Sequence, residues 1–225
     1  DLALGLALLF GFTLPENFSH PYMANSVTDF WRRWHMSLSS WFRDYVYIPL
    51  GGSRCSKGRL VWNLFAVWSL TGLWHGANWT FVCWGLWFFV LLSFEKLVWG
   101  QALAKLPGIL RHGYAMLAVL IGWIFFRSSS LPYAFSFLRA LFVPGTGAPD
   151  ALSWLTLCIR QYGLQLGICL LLSTNLGTSV WAALGKTKAG RAGRLLFLLV
   201  VLGLSVFRLG RLGRLVVKQG YQAHF

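Results

Sequence analysis

From Leu60 to Phe94 the chain runs for 35 residues without a single Asp, Glu, Lys or Arg. One helical crossing of the hydrocarbon core needs about 20 residues, so this stretch is too long for one straight span. It has to break, and Gly72 and Gly76, inside Thr71-Gly72-Leu73-Trp74-His75-Gly76-Ala77-Asn78-Trp79, offer the place. The expected layout is a membrane segment to about Leu73, an irregular turn at Trp74-His75-Gly76, and a second segment from about Trp79 to Phe94. Non-helical backbone at membrane depth is tolerated only where protein or a wet cavity covers it. The break therefore predicts an interior cavity.

The rest of the chain agrees with a membrane setting. Charged residues make up 12% of it, against about a quarter in a soluble domain. Lys and Arg number 20 against 6 Asp and Glu, a balance that would also suit nucleic acid. Nucleic-acid readers, however, carry their cations on a soluble surface. Here the cations bracket apolar runs, at Arg54 to Arg59 and Lys186 to Arg194, as cytoplasmic loops do. The bilayer is the expected partner and nucleic acid is not. Cys55, Cys83, Cys158 and Cys169 form no CxxC and no Cys–His ligand spacing, so no metal site is expected.

Other apolar segments run from Leu2 to Leu14, from about Tyr114 to Phe126 with Arg127 behind it, from about Leu152 to Leu172, and from about Leu195 to Phe207. Residues 132–142 form a short amphipathic piece, residues 144–149 a loop, and the basic, glycine-punctuated tail 208–225 has no assigned structure. The fold class is all-α: a polytopic transmembrane helix bundle, one integral membrane domain over residues 1–225. Because the chain opens on Asp1 directly before an apolar run, it is expected to be a piece of a longer protein.

Between Thr28 and Tyr45 apolar and basic residues alternate too finely for a lipid span. At a helical period, Phe30, Trp31, Trp34, Leu38, Trp41, Phe42 and Tyr45 fall on one arc, opposite Thr28, Arg32, Ser39 and Arg43. A single amphipathic interfacial helix is expected, with His35 at its border and a turn at Pro49-Leu50-Gly51-Gly52 behind it.

An ionisable side chain inside a span is costly and marks a functional site by default, which singles out His75. A neutral imidazole there suits general-base work; the alternative is a histidine that hydrogen-bonds two helices. His35 is either a solvated border residue or a partner of that site. Trp31, Arg32, Trp34 and Arg43 make an aromatic and cationic surface suited to a phosphate- or carboxylate-bearing ligand, or else to lipid headgroups. Trp74 and Asn78 flank His75 and are further candidate substrate contacts. No GxSxG motif occurs, and Asp29 and Asp44 are expected to pair with neighbouring arginines.

The run DFWRRWHMSLSSWFRDYVYIPLGGSR (Asp29 to Arg54), followed by LTGLWHGANWTFVCWG (Leu70 to Gly85), resembles the membrane-bound O-acyltransferase family, in its alginate O-acetylation branch. The 40-residue spacing of the two histidines fits. The core of the resemblance spans about residues 15–95, and Ile121 to Phe142 extends it. The resemblance implies a multi-helix tunnel, with His75 as the catalytic residue and His35 in the same active region. On the chemistry of the residues themselves, His35 and Asn78 are expected to orient groups or steady a developing oxyanion. The resemblance also implies an acyl-CoA or similar acyl thioester as donor, with no bound cofactor. The acetyl group would go to an exported polysaccharide, with periplasmic acyltransferase partners, at the bacterial cytoplasmic (inner) membrane. Family members are about twice this length. Alternatives kept open are D-alanyl or peptidoglycan acyl transfer in the same family, and, from another class, a transporter or a non-catalytic scaffold.

Overall fold

The computed structural model describes the backbone of residues 2–143 and 150–222. Among these the chain is helical, and its one extended pairing is an isolated antiparallel bridge between Phe18 and Trp34. It divides into two compact units, Asp1–Gly167 and Ile168–Phe225. The expectation for residues 144–149 lies outside the described residues.

In the first unit the helices are α1 (Leu2–Leu9), α2 (Val27–Arg33), α3 (Met36–Phe42), α4 (Lys57–His75), α5 (Trp79–Phe94), α6 (Gly100–Lys105), α7 (Gly108–Arg127), α8 (Leu131–Phe142) and α9 (Ala151–Leu172), the last running past the unit's end. Two π-turns, Arg43–Tyr47 and Glu95–Trp99, follow α3 and α5. Among the described residues, three helical stretches are long and apolar enough to cross a membrane: Trp79–Lys105, Gly108–Arg127 and Leu152–Leu172. The protein is a membrane protein with an all-α fold.

The expected break is present, but it falls at Gly76: Trp74 and His75, expected in the turn, are still helical. α4 starts at the cap of Ser56, whose Oγ accepts from Arg59 N, and stops at His75. Gly76 then takes φ 153° and ψ 164°, a region open to glycine alone, and a Cβ there would lie 2.9 Å from the Phe81 ring. Asn78 restarts the helix, its Oδ1 accepting from Thr80 N at 3.1 Å. The two arms form a close antiparallel hairpin. A Cβ on Gly72 would come within 2.6 Å of the Phe81 carbonyl oxygen, and one on Gly85 would strike that of Trp68. Small residues at the crossing let the backbones approach, which is how helices associate in lipid. α4 itself carries Lys57, Arg59, Asn63, Ser69 and Thr71, and is not among the three stretches long and apolar enough to cross a membrane.

The single helix expected from Thr28 to Tyr45 is corrected. The chain breaks at Trp34-His35 into α2 and α3, and α3 passes into a π-turn. The apolar periodicity runs straight through this break, so the sequence pattern hides it. Its cause is the segment before α2. Ser19 N donates to Arg33 O at 2.9 Å and Met36 N to Asn17 O at 3.0 Å, so the backbone of residues 17–19 takes the bonds that a continuous helix would have made.

The core lies where α2 meets α5 and α7. Phe30, Trp84, Phe88, Val27 and Val119 are buried there, with Trp68 beside them. In the second unit α10 (Asn175–Leu184) and α11 (Lys188–Gln222) pair, the Arg194 guanidinium lying 4.6 Å over the Trp181 ring. α10 was not expected, and α11 continues through both the Leu195 to Phe207 segment and the tail as far as Gln222. α7 begins at Gly108, six residues before the expected Tyr114.

Candidate active site

His75 is the last residue of α4, and the break behind it frees its ring from a helical neighbourhood. The ring is half-buried among aromatics: Trp84 edge-on at 4.9 Å between centroids, Phe126 at 5.1 Å, Trp74 at 4.9 Å and Phe81 at 6.1 Å. It makes no hydrogen bond among the described residues, and no carboxylate stands against it. Asn78, three residues on, has both ends of its amide engaged. Its Oδ1 caps α5 and its Nδ2 donates to Ser129 O at 3.2 Å, tying the break to the α7–α8 turn.

His35 reaches the same place from the other side. It has φ 48° and ψ 53°, left-handed for a residue with a Cβ. The kink is clamped by Trp34, whose ring stacks on Phe30 at 5.6 Å and meets Phe18 and Trp123 at 4.9 and 5.0 Å. The His35 ring lies 6.5 Å from that of Trp74, and its Nδ1 is buried without a hydrogen bond. Trp74 thus stands against both imidazoles.

A cavity of about 780 Å³ opens beside this cluster. Trp31, Phe42, Val67, Trp68 and Leu92 supply apolar wall; Arg32, Arg43 and Lys96 supply cations, and Glu16 also lines it. Neither histidine lines it, but Leu64, Val67, Trp68 and Thr71 do. On a helix that row continues, four residues past Thr71, to His75. The cavity wall therefore leads along α4 towards the imidazole.

The structure sorts the expected contacts. Trp31, Arg32 and Arg43 line the cavity, while Trp34 packs into the core and holds the kink. Trp74 and Asn78 stand at the break, on either side of His75. Arg32 makes no ion pair or hydrogen bond among the described residues. Arg43 is paired in bidentate fashion with Asp44, at 2.7 and 3.1 Å, and that hydrogen bonding holds the Asp44 carboxyl below the usual range. Asp29 pairs with Arg33 at 2.8 Å. Both acids thus do what the sequence led us to expect. Lys96 and Thr71 were missed. The i, i+4 step to His75 pointed to Thr71. Nothing pointed to Lys96, whose Nζ donates to the Tyr47 hydroxyl at 2.9 Å across 49 residues of chain.

Two imidazoles from different elements thus meet at Trp74 by the helix break, in a membrane protein whose nearby cavity has an apolar wall with cations on it. The profile of the membrane-bound O-acyltransferase family (MBOAT) matches residues 1–130, and the chain belongs to that family. It is 46% identical over 142 residues to the "Probable alginate O-acetylase" of Azotobacter vinelandii, an alignment covering 63% of this chain and 28% of the relative. It is 43% identical over 171 residues to the protein of the same description from Pseudomonas aeruginosa, covering 76% and 32%. With the peptidoglycan O-acetyltransferase of Helicobacter pylori it shares 39% identity over 145 residues, covering 63% and 27%. The matches thus take in about a third or less of these relatives' length.

Proposed function

We propose that this chain carries the acyl-transfer centre of an O-acetyltransferase that moves acetyl from a thioester donor to hydroxyls of an exported polysaccharide such as alginate. The observation that carries the reading is the meeting of His35 and His75 at Trp74 beside the cavity, inside the residues that match the family. The relatives described as alginate O-acetylases stand at higher identity than the teichoic acid D-alanyltransferase of Bacillus subtilis, at 36% over 134 residues, which favours acetyl and polysaccharide over D-alanine and teichoic acid.

In the reaction, an acceptor hydroxyl attacks the thioester carbonyl carbon and His75 takes its proton. The C–S bond then breaks, the acyl–oxygen ester forms, and the imidazolium returns the proton to the departing thiolate. His35, with an unengaged Nδ1, is the group placed to steady the oxyanion or orient the acceptor. Asn78 acts by holding the break in shape. The free Arg32 guanidinium meets anionic groups of an acyl-CoA or a similar donor, and the apolar wall takes its carbon chain. The site belongs to a multi-pass protein of the bacterial inner membrane, with the basic turn at residues 51–59 on the cytoplasmic, donor side. A periplasmic acyltransferase partner assists the transfer on the other.

The test is to express the full-length parent protein in a strain lacking its own acetylase and measure base-labile acetate on exported polysaccharide and on peptidoglycan, with D-alanine esters alongside. Acetate on the polysaccharide is the expected result. Acetate confined to peptidoglycan, or D-alanine esters alone, would overturn the assignment of the acceptor or the acyl group.

A further inference from the structure

Glu95 is an acid that the transfer chemistry does not use, and it is 6% exposed inside the stretch Trp79–Lys105. A buried carboxylate at membrane depth carries a large desolvation cost and persists where it does something specific. This one is spent on α2. Its Oε1 accepts from Val27 N at 2.7 Å, and its Oε2 accepts from Thr28 N at 2.9 Å and Thr28 Oγ1 at 2.6 Å. α2 already has a local cap, Ser26 Oγ accepting from Asp29 N at 2.9 Å. The remaining free N–H groups of its first turn go to a carboxylate 68 residues away, at the positive end of the helix dipole.

The π-turn Glu95–Trp99 is what brings the group there, and π-turns collect at functional sites. Gly100 closes the turn so tightly that a Cβ would collide with the Glu95 carbonyl. From adjacent positions the turn sends Glu95 to the foot of α2 and Lys96 to the cavity wall. Thr28, Trp31 and Arg32, all on α2, line that same cavity. One short element therefore fixes cavity residues on two sides.

We infer that Glu95 is a positioning residue for the cavity: its carboxylate sets where α2 holds Trp31 and Arg32, and so how tightly the cavity grips a thioester donor. The inference rests on the reading of the cavity as the donor site. A holding role alone would be served by any cap; the bidentate seat on both amides and the hydroxyl of a cavity residue fixes the helix in rotation as well as in place.

The experiment compares wild-type full-length parent with Glu95→Gln and Thr28→Val in lipid nanodiscs, with acetyl-CoA as the donor probe. Hydrogen exchange over residues 24–34 and initial rates are the readouts. Glu95→Gln is expected to speed exchange in that segment and to raise KM for acetyl-CoA about fivefold, with kcat changed by less than about twofold. Thr28→Val, which removes only the hydroxyl partner, is expected to raise KM by a smaller factor. Unchanged exchange and unchanged KM in both variants overturn the inference, as does a fall in kcat and folded yield together at constant KM. If wild type itself turns over no acetyl-CoA, the donor reading fails. Exchange then still decides the positioning role, faster exchange in Glu95→Gln supporting it and unchanged exchange overturning it.

Discussion

His35 adopts φ 48° and ψ 53°, a conformation that crowds Cβ against the following carbonyl at a cost of about 1–2 kcal/mol. The strain is offset locally. Asn17 Oδ1 accepts from Ser37 N at 3.0 Å and Ser37 Oγ at 2.6 Å, and Asn17 O from Met36 N, so the start of α3 is capped from outside. Asn17→Ala should therefore cost about 1 kcal/mol of stability, and should lower acyl transfer without touching either imidazole. Asn17→Asp, which keeps the acceptor, should lie near wild type. Thermal unfolding in detergent beside an activity assay checks both. Arg32 should give a different signature. Arg32→Ala removes a free cation from the cavity wall, so KM for an acyl-CoA donor should rise several-fold while kcat is kept, read from initial rates in membranes. Loss of kcat at unchanged KM would take Arg32 out of donor binding.

Among the elements, the α4–α5 hairpin depends on its glycines. Gly76→Ala forces a Cβ into φ 153° and against Phe81, an expected loss of about 1–3 kcal/mol together with displacement of His75. Gly72→Val wedges the two arms apart at the Phe81 carbonyl. Both should melt lower and turn over less; a Gly76→Ala protein with wild-type melting would contradict the geometry at the break. This hairpin was legible in the sequence because its cause is local: a charge-free run too long for one span, with glycines where it must turn. The break at Trp34-His35 was not. Its cause is residues 17–19, and the periodicity of Phe30, Trp31, Trp34 and Leu38 continues across it. Glu95 escaped for the same reason, since its partners Val27 and Thr28 are 68 and 67 residues distant. The two histidines and the Trp31–Arg32 wall were legible from motif and chemistry. That Trp34 turns into the core, and that Lys96 joins the wall, follows only from packing.

At the scale of the whole molecule, apolar spans and basic turns set an orientation. By the positive-inside tendency the turn at residues 51–59, with Arg54, Lys57 and Arg59, is predicted to face the cytoplasm. Ser53→Cys, at an exposed position, should react with a membrane-impermeant maleimide in inverted vesicles and stay unlabelled in intact cells or spheroplasts; the reverse pattern would put the donor side on the wrong face. Within that frame the proposed chemistry rests on one group, the His75 imidazole at the helix break, one helical turn past the cavity residue Thr71. The most direct test is acetyl ester on exported polysaccharide from cells making the full-length parent protein, wild type against His75→Ala at matched membrane abundance. General-base catalysis contributes about 10²–10⁴-fold, so ester is expected to fall by about a hundredfold or more while the protein remains in the membrane. Ester at the wild-type level in His75→Ala would contradict it, and would leave the imidazole among Trp74, Trp84 and Phe126 as packing alone.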